Sequence, residues 1–244
     1  MKIWLATDLD DTWVKTERKL GIGTFKNVVK DGTGFQKTFF SAKDLSLLSA
    51  FKAGGIHVIP VTGRSAKSCD AWELNEEKFW VGGGIFSHGA EMRCPMGNTV
   101  IEWDILVRNI VLKNKPIEAW KTALEKTFTF ESLKIVDLVV GNSAFGVVIK
   151  AKSEAAEIEL SGFKETLETL AHGLNLDYFH QKHHFTVIMH GISKRAALTF
   201  WRNKFSSEID VWLGAGDAKK DGEFMASCDW IITPSGSEWS TDKG

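Results

Sequence analysis

A chain of 244 residues is long enough to bury a proper core, as one large domain or two modest ones, and 43% hydrophobic with 25% charged residues is the balance of an ordinary globular protein. Thirty basic against 31 acidic residues leave a formal charge of −1 with no basic block, which argues against nucleic acid as a partner. Three cysteines, Cys69, Cys94 and Cys228, without CxxC spacing argue against a disulfide framework or a zinc knuckle and fit a reducing cytoplasm.

The opening MKIWLATDLDD is broken by acids too early for a signal-peptide core, and no stretch approaches the roughly 18 apolar residues of a membrane span, so a cytoplasmic chain without a membrane partner is expected. Residues 3–7 (IWLAT) read as a buried strand whose last residues emerge at a sheet edge. Residues 15–40 are too long for a bare connection. FKNVV and FQKTFF alternate around the glycine turn KDGTG, which predicts a hairpin that projects as a flap. An amphipathic helix over residues 41–53, closed by Gly54-Gly55, leads into a second buried strand at 56–61 (IHVIPV). A short strand near 79–81, a turn at Gly82-Gly83-Gly84 and a hairpin through 85–92 and 99–103 are expected next.

Beyond residue 107 the pattern changes. It predicts a helix (115–128), strands (133–140 and 144–151), a helix (154–172) and strands (175–181 and 184–190). That repeated helix-strand-strand order describes a small sheet with two helices on one face, a unit of its own. A helix over 193–205 and strands at 211–213 and 231–232 then resume the core. The fold class is therefore α/β: a Rossmann-like parallel sheet in residues 1–107 and 188–244, interrupted by an inserted α+β (αββαββ) domain in 108–187.

Chemistry concentrates where the core strands end. In Asp8-Leu9-Asp10-Asp11-Thr12, alternate residues of an extended chain share a face, so Asp8 and Asp10 can converge beyond the carboxyl edge of the sheet, where ligands bind in open α/β folds. Paired carboxylates invite a hard divalent cation, and Mg²⁺ accepts one or two of them while keeping positions for phosphate oxygens. A solvated acidic turn is the plainer reading of the pentapeptide alone. Val61-Thr62-Gly63-Arg64-Ser65 ends the second strand with a hydroxyl, a glycine and amides ahead of a helix, the makings of an anion-binding nest or simply of an N-cap. Lys194 opens the helix that re-enters the core. Gly216-Asp217-Ala218-Lys219-Lys220-Asp221 again puts acids after a strand.

Taken in order, DLDDT, VTGRS, Lys194 in GISKRAAL and GDAKKD resemble the four motifs of the haloacid-dehalogenase superfamily over nearly the whole chain. The αββαββ insertion resembles the cap of the Cof-type and sucrose-phosphatase-like branch, and DLDDTWV is close to sucrose phosphatases. The resemblance implies a Mg²⁺-dependent phosphatase for a small-molecule phosphate ester, a sugar phosphate in the first instance, working through an aspartyl-phosphate. Asp8 is then the nucleophile and Asp10 the acid and base. Thr62, Gly63 and Lys194 hold the phosphoryl group. Asp8, the Asp10 carbonyl, Asp217 and Asp221 bind or support the metal, and Thr12 orders the loop. Arg64, Lys150 and His184 are the candidate substrate contacts, the last two as polar residues on expected cap strands. A phosphomutase and a phosphate-binding regulatory module share this core and stand as alternatives. The chain departs from the family in Ala218-Lys219-Lys220, where many relatives have a small residue and an Asn before the final Asp, and in His88, where Asn is frequent.

Two further signals are set aside. His180, His183 and His184 lie close together but have no cysteine or acidic partner at ligand spacing. Ten tryptophans against one tyrosine bring carbohydrate stacking to mind, yet Trp4, Trp80, Trp201 and Trp212 fall on expected core elements, and Trp13, beside the DLDDT turn, is the one exception to test for such stacking.

Overall fold

The structure, a computed structural model, describes residues 1–29, 34–35, 37–72, 82–113, 116–127, 132–181 and 184–239. The expected strand at 79–81, most of the KDGTG turn and His183 lie outside them. The chain forms two compact units, Met1–Asp104 with Ser193–Gly244, and Ile105–Ile192.

In the first unit, β1 (Ile3–Thr7) is followed by β2 (Val14–Thr16), β3 (Phe25–Asn27) and β4 (Thr38–Ser41). The last three form an antiparallel sheet in the order β2-β4-β3, so the expected hairpin gains a third strand from the residues just after the DLDDT turn. Helix α1 (Ala42–Ala53) starts where the Ser41 hydroxyl accepts the Asp44 N–H at 3.1 Å and stops before Gly55, whose φ of +75° a side chain would resist. Then come β5 (Ile56–Pro60), a short helix α2 (Ala66–Asp70) and a hairpin of β6 (Gly84–Phe86) with β7 (Glu91–Arg93).

Residues 99–103 are not the strand expected. Only Thr99 bridges to Arg93, and α3 (Ile101–Lys113) begins at once. Val100, Trp103 and Val107 are buried at helical spacing, and Glu102 and Asp104 sit in the first turn where the helix dipole favours acids.

The second unit contains α4 (Pro116–Thr127), β8 (Leu133–Val140), β9 (Ser143–Ala151), α5 (Glu154–Gly162), α6 (Lys164–Gly173), β10 (Leu176–Gln181) and β11 (His184–Met189). The expected helix at 154–172 is thus two, parted at Phe163 after Gly162. The strands make an antiparallel sheet, β10-β11-β9-β8, against which α4, α5 and α6 pack. Ile149, Val147, Phe185 and Val187 pair across it, all fully buried. Lys134, Lys150, His184 and Gln181 align as a row on the opposite side, because side chains alternate along each strand.

Returning to the first unit, α7 (Lys194–Phe205), capped by Ser193, leads to β12 (Val211–Ala215), a 3₁₀ turn at Lys219–Asp221, α8 (Gly222–Met225) and β13 (Trp230–Ile232). The core sheet is parallel, in the order β13-β12-β1-β5. Leu5 and Ala6 are fully buried within it, and Trp4 stacks on Trp212 at 5.4 Å. No helix among the described residues is long and apolar enough to cross a membrane.

Candidate active site

Parallel pairing brings three strand ends to one edge. Thr7 is in register with Ala215 of β12 and Pro60 of β5, so the residues that follow each strand emerge side by side. The Asp8 N–H extends the ladder to the Ala215 carbonyl at 2.8 Å, and the Val61 N–H does the same to Thr7 at 2.7 Å.

After Asp8 the chain must turn sharply. Trp13 and Val14 N–H groups both return to the Leu9 carbonyl at 3.0 Å, and Asp11 takes a left-handed φ of +62°. The Trp13 indole is buried, donating to the Thr7 hydroxyl at 2.5 Å and meeting Phe51 edge-on. Trp13 is therefore a core anchor of the turn rather than a surface for stacking on a substrate.

The turn delivers Asp8 to a buried charge cluster. One oxygen from each of Asp8, Asp217 and Asp221 lies within 4.8 Å of the others. Between them sits the Lys194 ammonium, which donates to Asp8 Oδ1 at 2.6 Å and to Asp221 Oδ1 at 2.7 Å. Asp221 is fully buried and Asp8 is 5% exposed. Thr12 donates from its hydroxyl to Asp217 Oδ1 at 3.2 Å, the ordering role expected of it.

The electrostatics follow from this crowding. Burial pushes the Asp8 carboxyl up to about 7; Lys194 opposes that shift, while Asp221 and Asp10 add to it. Asp217 is pushed up to about 6, first by burial and then by Asp221 and Asp11. Burial works against the Lys194 ammonium, but Asp8 and Asp221 hold its pKa above the ordinary lysine value. Lys220 is driven below the ordinary value by burial and then by Lys194. Asp8, Asp217 and Asp221 form a set of hard oxygen donors, which fits a hard divalent cation such as Mg²⁺.

Asp10 stands outside this cluster. Its carboxylate is held by Arg64, Nε to Oδ2 at 2.8 Å and Nη2 to Oδ1 at 2.5 Å. Arg64 also donates to the Thr38 hydroxyl at 3.2 Å and lies 5.0 Å from the centre of the Trp72 ring. With its side chain 14% exposed, Arg64 is committed to Asp10, Thr38 and Trp72. Sequence reasoning placed it beside the substrate and missed this partner, because Asp10 and Arg64 are 54 positions apart.

The second motif is equally specific. Thr62 is fully buried; its N–H donates to the Ile85 carbonyl at 2.9 Å, and its hydroxyl accepts the Arg64 N–H at 3.1 Å. Of the amides expected to form a nest, these two are thus spoken for. Gly63 lies close against His88: a Cβ at Gly63 would lie 2.5 Å from the imidazole. Ser87 and His88 both adopt positive φ, +49° and +57°, a conformation that costs a non-glycine residue and marks an over-determined loop. Lys150 and His184 face each other in register on β9 and β11 of the second unit. His180 pairs with Phe185, the neighbour of His184, so the two imidazoles point to opposite sides of the sheet and do not form a metal site.

No family model matches the chain, and no curated protein matches it in sequence. Among solved structures, the sucrose-phosphatase of Synechocystis sp. PCC6803, determined in complex with sucrose and phosphate, is similar over 100% of this chain and 89% of its own, at TM-score 0.61 and 16% identity. A sugar phosphatase of HAD subclass IIB is similar over 96% and 94%, at TM-score 0.52 and 14% identity. The chain has the haloacid-dehalogenase fold. The C-terminal domain of a C. albicans trehalose-6-phosphate phosphatase shares it, over 93% of this chain and 73% of that one, at TM-score 0.54 and 16% identity. Within the haloacid-dehalogenase core, Asp8, Thr62, Lys194 and Asp217 stand at or just beyond the ends of elements of the first unit.

Proposed function

We propose that this chain is a Mg²⁺-dependent phosphomonoesterase of small phosphorylated metabolites, with sugar phosphates the leading substrate class. The observation that carries the reading is the buried cluster in which Lys194 bridges Asp8 and Asp221 while Asp217 completes a set of three carboxylates. The fold is shared with proteins described as sucrose, trehalose-6-phosphate and HAD sugar phosphatases, which supports the substrate class.

In this reading an Asp8 carboxylate oxygen attacks phosphorus, the bond to the leaving oxygen breaks, and an aspartyl-phosphate forms. Asp10, entering the cycle protonated with one oxygen released from Arg64, gives that proton to the departing alkoxide. It then takes one from the water that attacks the aspartyl-phosphate, restoring Asp8 and releasing phosphate. Thr62, the Gly63 amide and Lys194 hold the phosphoryl oxygens. Asp8, Asp217 and the Asp10 carbonyl would hold Mg²⁺, with Asp221 in support. When bound, the ion supplies positive charge to the phosphoryl oxygens. Arg64 keeps the Asp10 carboxylate in one orientation, and Lys150 and His184 are the proposed recognition residues of the second unit.

The test is phosphate release from a panel of phosphorylated sugars, nucleotides and cofactors, with and without Mg²⁺. Mg²⁺-dependent release from sugar phosphates is expected. Isomer formation without release would make the protein a phosphomutase, and Mg²⁺ binding without turnover would make it a regulatory module; either overturns the proposal.

A further inference from the structure

The loop carrying Asp217 and Asp221 is closed only in part by its own residues, Asp221 Oδ2 accepting the Ala218 N–H at 3.3 Å. Its 3₁₀ turn, Lys219–Asp221, starts after Ala218, which has no side-chain oxygen with which to cap the free N–H groups of the turn. The next N–H is served from elsewhere. The Lys219 N–H donates to Glu238 Oε2 at 2.7 Å, across 19 positions of sequence. The Glu238 N–H in turn donates to the Asp217 carbonyl at 2.9 Å. The Trp239 indole N–H donates to the Ala218 carbonyl at 3.2 Å, and the ring lies over Gly222 so closely that a Cβ there would be 2.8 Å from it. Backbone groups of three consecutive loop residues, 217, 218 and 219, are thus each tied to Glu238 or Trp239. Ser237, buried and turned back on Pro234, carries the pair into place.

We propose that Ser237-Glu238-Trp239 is a positioning strap that holds the fourth-motif loop in the form that presents the Asp217 and Asp221 carboxylates beside Asp8. It serves the Lys219 N–H, which Ala218, without a side-chain oxygen, leaves uncapped. The consequence for the metal rests on the Mg²⁺ reading above; the clamp on the loop does not. Trp239 is 42% exposed, so its removal opens the loop rather than a core cavity. The strap's bonds run to the backbone of residues 217–219, so it acts through the backbone from which the carboxylates hang.

The experiment compares the full chain with Glu238→Ala, Glu238→Gln and Trp239→Ala, by amide hydrogen exchange of residues 217–222 in metal-free protein and by calorimetric titration with MgCl₂. Glu238→Ala and Trp239→Ala are expected to speed exchange in that loop and weaken Mg²⁺ binding about tenfold, the low end of what loss of an outer partner of a metal ligand costs. Glu238→Gln, which keeps a carbonyl acceptor for the Lys219 N–H, is expected to stay within about threefold of wild type on the same scale. Unchanged loop exchange in both alanine variants overturns the strap. Faster exchange with unchanged Mg²⁺ affinity overturns its role in presenting ligands. If the wild-type chain takes up no Mg²⁺, the metal reading fails, and loop exchange still decides the clamp.

Discussion

Arg64 and Asp10 meet as a two-pronged ion pair, Nε and Nη2 against the two carboxylate oxygens, although 54 positions separate them. Planar guanidinium against planar carboxylate fixes orientation as well as charge, which a single-point lysine contact does not. The residue proposed as acid and base is therefore held at a set angle by a side chain that is itself braced by Thr38 and Trp72.

Removing that brace gives the first prediction. Asp10→Asn should slow turnover by roughly 10²–10⁴, the usual worth of a positioned acid/base group. Arg64→Ala should lower kcat less, and Arg64→Lys should not restore it. Because both act through one carboxylate, the double variant Asp10→Asn/Arg64→Ala should be little slower than Asp10→Asn alone. Fully additive losses in steady-state kinetics would show that Arg64 acts elsewhere.

Asp8→Asn should abolish phosphate release while leaving the fold intact, since the change is nearly isosteric and Lys194 keeps its bond to Asp221. Mass spectrometry of the wild type quenched during turnover should find a phosphoryl group on Asp8 that the variant lacks. A variant with near wild-type activity would refute covalent catalysis at this residue.

Asp217 and Asp221 should separate in their effects. Asp217→Ala is expected to raise the Mg²⁺ concentration needed for activity far more than Asp221→Ala does, because a direct ligand contributes charge and a coordinate bond. Asp221→Ala should instead show its main cost in stability, about 1.5–3 kcal/mol, by removing one charged hydrogen-bond partner of the buried Lys194 ammonium. Urea denaturation and Mg²⁺-dependent activity, measured on the same preparations, check the two halves. Identical Mg²⁺ titrations would mean that the metal is misplaced.

At Gly63 the prediction is steric. Gly63→Ala places a methyl 2.5 Å from the His88 ring, so the ring or its loop must shift at a cost of about 1–3 kcal/mol, and phosphate affinity should fall with it. Combining it with His88→Ala should recover a good part of that stability by vacating the ring. If the pair is no more stable than Gly63→Ala in thermal denaturation, the close approach is not what requires glycine here.

Much of this molecule is local and was legible as such. Residues 3–7 and 56–60 are short, mostly apolar runs that read as strands, and Ser41 and Ser193 cap the helices that follow them by bonding their own near neighbours. The order of DLDDT, VTGRS, Lys194 and GDAKKD likewise pointed to one sheet edge, since each motif follows a strand or opens a helix of the same alternating pattern. Where two periods compete the sequence misled: residues 99–103 read as a strand, but burial of Val100, Trp103 and Val107 selects the helix.

What only the tertiary structure decided is which partner each polar group takes. Trp13 looks free to stack on a sugar until Thr7 and Phe51 close on it. Arg64 gives no sign of its partner until the turn after β1 carries Asp10 to it. Ala218 looks like a loss of order in the fourth motif until Asp221 takes its N–H and Glu238, from beyond β13, takes that of Lys219. Secondary structure follows from neighbours a few residues apart, whose spacing is written in the chain. A bond between side chains 19 or 54 positions apart depends on the path of everything between them, and no local pattern encodes it.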